Sequence, residues 1–228
     1  MKRKMLALLC ALCLILPLAL LGSTLRGAGN DQVYSVTDDV AVTQPPIPES
    51  YPDVAGDEWF APAVAEITKK GVMTGVEGGL FAPYQPVTRA TVVLVLWRLA
   101  GSPQAEVSDP FPDVEPWFET AVAWAKGTGV ATGYNTGEFA GRDPVTREQL
   151  ACFIYRYAEL QGEPLASGAL GLYPDVDDIH DWALPAVRHM VGTGLLQGGD
   201  GDRIDPLGVA NRAALAVILH RMLTPAVG

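Results

Sequence analysis

Cysteine is scarce. The 228 residues hold three, and two of them, Cys10 and Cys13, fall in an apolar N-terminal run. Cys152 is then alone in the rest of the chain, so no intramolecular disulfide can form there and packing must hold the fold. It sits in Leu150-Ala151-Cys152-Phe153-Ile154, the setting of a buried small hydrophobe rather than of a nucleophile. Histidine is equally rare, and His180, His189 and His220 show no close metal-ligand spacing. There is no His-Glu-x-x-His segment, phosphate-binding loop or Gly-x-Ser-x-Gly elbow, which removes the familiar signatures of hydrolases and nucleotide enzymes. Asp200-Gly201-Asp202 followed by Asp205 hints at a calcium loop, but position 12 from Asp200 is Asn211 where a bidentate Glu is wanted, so a Gly-Asp turn is the preferred reading. The expectation is a protein that is not an enzyme and uses no cofactor and no metal.

Basic charge is short as well. Sixteen Lys and Arg face 26 Asp and Glu, for a net charge of −10. Lys2, Arg3, Lys4 and Arg26 all precede the first acidic residue; without them 12 basic residues remain against 26 acidic ones, a net of −14. Such a surface repels nucleic acid and anionic lipid headgroups, so sequence-independent binding to either is excluded. An anionic ligand would need specific basic sites. At the N-terminus Lys2-Arg3-Lys4 leads into 17 almost unbroken apolar residues, Met5 to Leu21, the pattern of an export signal. A run of that length also lies at the lower edge of a membrane span. Residues 1–29 therefore read as a signal peptide or a retained N-terminal anchor, and no other membrane contact is expected. Residues 30–50, polar and closing on Gln44-Pro45-Pro46-Ile47-Pro48, read as an extended linker.

Everything after that is repetitive. Tyr51-Pro52-Asp53-Val54, Phe111-Pro112-Asp113-Val114 and Tyr173-Pro174-Asp175-Val176 open three segments, and each reaches a tryptophan: Trp59, Trp117 or Trp182. From the tryptophan the register is constant. Gly71, Gly129 and Gly194 follow at 12 residues, Phe81, Phe139 and Ile204 at 22, and Arg89, Arg147 and Arg212 at 30. For a residue type that makes up about one position in twenty, the arginine match alone has a chance probability on the order of 10⁻⁴.

Two helices are predicted in each unit. The first begins near the tryptophan, with Phe118, Ala121, Val122 and Ala125 or Ala183, Ala186, Val187 and Met190 at helical spacing. It ends at a glycine suited to a left-handed residue. The second opens at Thr88, Thr146 or Asn211, all good N-caps, and Gln149 completes a capping box with Thr146. Its apolar face is Val92, Val93, Leu96 and Leu99 in the first unit, with Leu150, Phe153, Ile154 and Tyr157, then Leu215, Ile218, Leu219 and Met222, in the others. A two-helix unit cannot bury such a face alone, so the units must pack on one another. The expected fold class is mainly α: three tandem helix–loop–helix repeats over residues 51–101, 111–162 and 173–224, sharing a core.

These residues resemble the S-layer homology family. The resemblance is carried by the Phe/Tyr-Pro-Asp-Val openings and the Gly-Val-Met-Thr-Gly and Gly-Val-Ala-Thr-Gly turns. It extends to the segments from Phe81-Ala82-Pro83 to Val87-Thr88-Arg89-Ala90 and from Phe139 to Val145-Thr146-Arg147-Glu148. It spans residues 51 to about 224 and implies a compact pseudo-threefold domain with the Thr-Arg helices near its centre. It also implies ligand grooves between neighbouring repeats and a peptidoglycan-linked secondary cell-wall polymer, bearing pyruvylated amino sugars, as the partner. The family's Thr-Arg-Ala-Glu motif maps onto Thr88-Arg89-Ala90-Thr91 and Thr146-Arg147-Glu148-Gln149. The third unit, Ala210-Asn211-Arg212-Ala213, keeps the arginine without the threonine, and the acidic fourth residue is absent from all three.

The function expected is thus a secreted, monomeric, non-catalytic anchor on a Gram-positive-type wall surface. The alternatives are a helical scaffold for another surface protein or an accessory subunit of a wall-modifying enzyme. Arg89, Arg147 and Arg212 are the leading polysaccharide-binding candidates. Each stands in the first turn of a helix, where the dipole disfavours a cation and free N–H groups favour an anion. A ketal carboxylate would answer both, and ion pairs with Asp53, Asp113 or Asp175 are the structural alternative. Thr88 and Thr146 accompany the arginines. Asp53, Asp113 and Asp175 would accept from sugar hydroxyls or cap turns. Trp59, Trp117 and Trp182 would stack on sugars or seat the first helix, and packing is the favoured role. Arg147, with its complete capping box, is expected to matter more for binding than Arg212.

Overall fold

A computed structural model of the chain describes residues 50–106 and 109–224. The export segment and nearly all of the linker lie outside the described residues. Six α-helices form among them: α1 (Ala61–Lys69), α2 (Arg89–Leu99), α3 (Glu119–Thr128), α4 (Arg147–Gln161), α5 (Leu184–Gly192) and α6 (Arg212–Leu223). The described residues contain no β-strand beyond three isolated antiparallel bridges, so the mainly α expectation holds.

Helix starts follow their caps. The Thr88 hydroxyl accepts the Thr91 N–H at 3.3 Å, and Asn211 Oδ1 accepts the Ala214 N–H at 2.9 Å. At α4 the box is complete: Thr146 Oγ1 accepts the Gln149 N–H at 3.3 Å, and Gln149 Oε1 accepts the Thr146 N–H at 2.9 Å. The glycine beyond each short helix is left-handed, with φ of 69° at Gly71, 78° at Gly129 and 71° at Gly194, which a side chain would resist.

The three repeats share one core. Each short helix packs on the long helix of the preceding repeat: α3 on α2, α5 on α4, and α1 on α6. The last contact closes the row of repeats into a ring. At the hub, the residues just before the long helices form a closed cycle of backbone hydrogen bonds. Val87 N–H donates to Ala210, Ala210 to Val145 and Val145 to Val87, each at 2.9 Å. All three residues are fully buried, so the cycle satisfies backbone groups that water cannot reach.

The same arrangement overturns one expectation. The first helical N–H groups are not free. Arg89 N–H donates to Asp143 O and Ala90 N–H to Gly141 O. Arg147 and Glu148 reach Gly208 and Pro206, and Arg212 and Ala213 reach Gln85 and Pro83, all at 2.8–3.1 Å. With the cap taking the third donor, each long helix has its orphan donors filled by a neighbouring repeat. Among the described residues, the first-turn N–H groups of the three long helices are therefore not left to bind an anion.

Candidate ligand grooves between the repeats

Phe81, Phe139 and Ile204 mark the loop that leads to each hub segment, and two charged side chains hold that loop from opposite sides. Asp53 accepts the N–H groups of Phe81 and Ala82 at 2.8 and 2.7 Å. Asp113 does the same for Phe139 and Ala140, and Asp175 for Ile204 and Asp205. Ala82, Ala140 and Asp205 have φ of 56°, 55° and 52°, a strained region for a side-chain-bearing residue. The carboxylates hold the chain there. Burial pushes the Asp175 carboxyl up, but the N–H groups of Asp205 and Ile204, with Arg203 nearby, outweigh it and leave the group below its ordinary range.

The carbonyl of the same loop residue is taken by the arginine of the preceding repeat. Arg212 Nε donates to Phe81 O at 2.7 Å, Arg89 Nε to Phe139 O at 2.9 Å and Arg147 Nε to Ile204 O at 2.7 Å. The ion pairs expected as the structural alternative are therefore not what the structure contains. Asp53, Asp113 and Asp175 do not pair with these arginines; aspartate and arginine grip one peptide from either side. Arg89 and Arg212 add a second bond, from Nη2 to Thr132 O at 2.8 Å and to Thr74 O at 2.7 Å. Among the described residues Arg147 has no such second bond; Gln197 stands at the position equivalent to Thr74 and Thr132, and its side-chain oxygen accepts from Arg221 Nη2 at 2.9 Å.

Beyond the loop, three hollows open between repeats, and each draws on all three. Groove 1, about 280 Å³, is lined by Thr74 and Arg98 of the first repeat, Trp117 of the second and Arg212 of the third. Groove 2, about 240 Å³, has Tyr134, Gln149 and Arg156 of the second repeat, Trp182 of the third and Arg89 of the first. Groove 3, about 360 Å³, has Gln197 and Arg221 of the third repeat, Trp59 of the first and Arg147 of the second. Their sizes sit at the small end of ligand clefts.

The tryptophans correct another expectation. Trp59, Trp117 and Trp182 are 63%, 55% and 55% exposed, whereas Phe60, Phe118 and Ala183 are fully buried. The residue after the tryptophan seats the first helix and the indole is left as a groove wall. Thr88 and Thr146 are spent as caps and do not line the grooves; Thr91 and Gln149, two residues past the Thr-Arg arginines, do.

The second arginines, Arg98, Arg156 and Arg221, were not among the sequence candidates. Each lies nine residues after its repeat's Thr-Arg arginine, and that constant spacing was the available signal. Each groove thus holds two guanidinium groups from different repeats. Among the described residues none of the six lies within 4 Å of a carboxylate. Burial lowers the pKa of Arg89, Arg98, Arg147, Arg212 and Arg221 from the ordinary value, but a guanidinium starts so high that it stays charged. In an acidic protein, paired cations partly withdrawn from water and without carboxylate partners among the described residues have the electrostatics to accept an anion. The exposed indole beside them offers an apolar face. No group of three or more His, Cys, Asp or Glu that could hold a metal occurs among the described residues.

Three repeats closed on a common hub, with a cationic groove at each junction, define a helical repeat module. The chain belongs to the S-layer homology domain family, whose model matches residues 50–93, 110–151 and 172–216, more than half of its length. It is 28% identical over 174 residues to an endoglucanase of Bacillus sp. (strain KSM-635), covering 76% of this chain and 18% of that protein. It is 26% identical to the surface-layer 125 kDa protein of Lysinibacillus sphaericus, over 71% of this chain and 14% of that one. Against the cellulosome-anchoring protein of Acetivibrio thermocellus it is 25% identical over 66% of this chain and 35% of that one. The chain thus spans about a third or less of each of these relatives. Among the described residues no helix is long and apolar enough to cross a membrane.

Proposed function

We propose that the chain is a non-catalytic cell-surface anchoring module. It is secreted, works as a monomer and holds a peptidoglycan-linked secondary cell-wall polymer in the grooves between its repeats. The observation that carries this reading is the recurrence, at all three junctions, of two arginines without carboxylate partners among the described residues, beside an exposed tryptophan. A pyruvyl ketal on an amino sugar fits that chemistry. Its carboxylate would meet the planar guanidinium groups in a charge-assisted, two-point contact, and its sugar ring would lie on the indole face. Names among the relatives support the same reading: one is a cellulosome-anchoring protein and another a surface-layer protein.

Within this reading Arg89, Arg147 and Arg212 contact the ligand, joined by Arg98, Arg156 and Arg221, and Trp59, Trp117 and Trp182 form the walls. Thr88, Thr146, Asp53, Asp113 and Asp175 act one step back, fixing the helix starts and loops that aim the arginines. Three modest grooves on one polymer chain would act by avidity. The test is sedimentation with purified wall polysaccharide before and after mild acid removal of its ketals. Retention that disappears with the pyruvate supports the assignment; equal retention by stripped wall, or none at all, overturns it.

A further inference from the structure

The three tryptophan walls are supported in three different ways. The residue two positions before the tryptophan is Asp57, Glu115 or His180. At groove 1 Glu115 lies at the surface and accepts the Trp117 indole N–H at 3.3 Å. At groove 3 Trp59 leans edge-on against Phe60, with ring centroids 5.4 Å apart, as Trp117 does against Phe118 at 4.6 Å, but no side-chain hydrogen bond to Trp59 is found among the described residues.

Groove 2 is built otherwise. The His180 ring stacks on Trp182, centroids 5.5 Å apart and planes 22° apart. His180 Nδ1 lies 2.7 Å from Glu148 Oε1, and the His180 backbone N–H donates to Glu148 Oε2 at 3.1 Å. Glu148 is 2% exposed and stands in the first turn of α4, where the helix dipole favours a carboxylate. The equivalent positions in the other long helices are Ala90 and Ala213, so neither can supply this support. Groove 2 also has a second aromatic wall: Tyr134, 4.5 Å from the Arg89 guanidinium, where grooves 1 and 3 have Val76 and Gly199.

We infer that groove 2 is the principal carbohydrate groove of this chain, because Glu148, acting through His180, sets the Trp182 wall in advance and Tyr134 faces the same hollow. The inference rests on the reading that the grooves bind a wall sugar. Glu148 and His180 are positioning residues in it; Trp182 and Tyr134 are contacts. A wall already held in its bound orientation avoids the ordering cost that a free indole meets on binding, and a groove with two aromatic faces presents more of the surface on which sugars stack.

Two measurements on the full chain test it. The first needs no ligand: the backbone-independent order of each indole N–H is read by NMR on tryptophan-labelled protein, with Trp182→Phe to assign the signal. Trp182 is expected to be the most ordered of the three wall indoles, to loosen in His180→Ala and Glu148→Ala, and to keep its order in Glu148→Gln, which retains an acceptor. The second is calorimetry with the methyl glycoside of a pyruvyl-ketal N-acetylhexosamine. Trp182→Ala is expected to remove the tightest binding event, and Trp59→Ala and Trp117→Ala to leave it. His180→Ala should weaken that event by about 2- to 10-fold. Equal losses from the three tryptophan variants would overturn the inference and leave the anchoring function standing. Absence of any binding by the parent would overturn the anchoring chemistry and the groove assignment together. In that case a Trp182 indole indifferent to His180→Ala would remove the brace as well, and one that loosens would retain it.

Discussion

The hub and the groove rims of this molecule obey different rules. At the hub, three backbone hydrogen bonds of 2.9 Å close a cycle, and the paired aspartate bonds that hold each loop recur in all three repeats. Around the rims little repeats beyond charge and an indole. Tyr134 answers to Val76 and Gly199, Gln149 to Thr91 and Ala214, and Gln197 to Thr74 and Thr132. The contrast follows from what each region must do. Hub residues satisfy buried backbone groups, and one wrong partner there leaves a donor or acceptor unmade. Rim side chains end in water, so they can diverge without cost to the fold and give each groove its own shape.

The largest effects should come from breaking the boundary between the two regions at adjacent residues. Phe118→Ala removes a fully buried ring and should cost about 3–5 kcal/mol of stability. Trp117→Ala, one position earlier and more than half exposed, should cost under about 1 kcal/mol yet weaken binding at groove 1. Chemical denaturation of both variants decides this, and comparable losses would place the indole in the core after all.

Next in size is the loop clamp. Asp175 accepts two backbone N–H bonds from a nearly inaccessible position. Hydrogen bonds to a charged partner contribute about 1.5–3 kcal/mol each, so Asp175→Ala should destabilise by about 2–5 kcal/mol in urea. Its carboxyl is held below the ordinary range, so on acidification the unfolded chain takes up the proton first. The clamp's contribution is therefore present in full above about pH 4 and fades below it. A variant that unfolds in urea like the parent at pH 7 would remove the clamp.

What was legible in the sequence was whatever is local. The N-caps at Thr88, Thr146 and Asn211, the Gln149 capping box and the left-handed glycines all depend on partners within a few residues, and each stands where it was expected. The misreadings concern partners far along the chain. Asp53 meets Phe81 and Arg212 reaches Phe81 from 131 residues away, and no spacing rule announces that two charges will hold one peptide rather than each other. The free N–H groups inferred at the helix starts were closed by carbonyls of another repeat. Helical periodicity placed Phe118 on the apolar face with Ala121, Val122 and Ala125, but it was silent on whether Trp117, just before that pattern, would be inside or out. Arg98, Arg156 and Arg221 were readable from their constant spacing, but α-helical arginines near solvent carry no distinguishing signal until the neighbouring repeat is seen to open beside them.

A smaller contrast separates two arginines of the clamp itself. Arg212 donates to two carbonyls and Arg147 to one, so Arg212→Ala should lose more stability, by about the 1.5–3 kcal/mol of the extra bond. Binding should invert the order. The Arg147 terminal nitrogens have no partner among the described residues, so Arg147→Ala should reduce affinity at groove 3 by about 10- to 150-fold, and Arg212→Ala should reduce it less at groove 1. Calorimetry with a short monovalent ketal avoids masking by the remaining grooves. Equal affinities for both variants and the parent would end the role assigned to these arginines.

The smallest expected effect lies away from hub and rims, at the linker between the second and third repeats. There Gly168 lies against Gly192 so closely that a Cβ on Gly192 would fall 2.7 Å from the Gly168 nitrogen, and Gly168 N–H donates to Arg188 O at 2.8 Å. His189 is 1% exposed beneath this linker. Its Nδ1 accepts the Ala166 N–H at 3.2 Å, so the proton sits on Nε2, which is buried without a partner among the described residues. Protonation would remove the acceptor and leave a charge in an apolar place, with Glu163 of the linker as the nearby carboxylate that works against this. Burial prevails, and the imidazole is held below its ordinary pKa. The unfolded chain, with a histidine near pKa 6.5, therefore binds the proton first as pH falls, and stability declines from about pH 6.5 downward. His189→Gln keeps a side-chain acceptor and removes the titration. Urea midpoints for parent and variant should stay a constant distance apart above about pH 7 and draw together below it, because only the parent loses this contribution. Parallel curves across the whole range would show that His189 is protonated as easily in the fold as outside it.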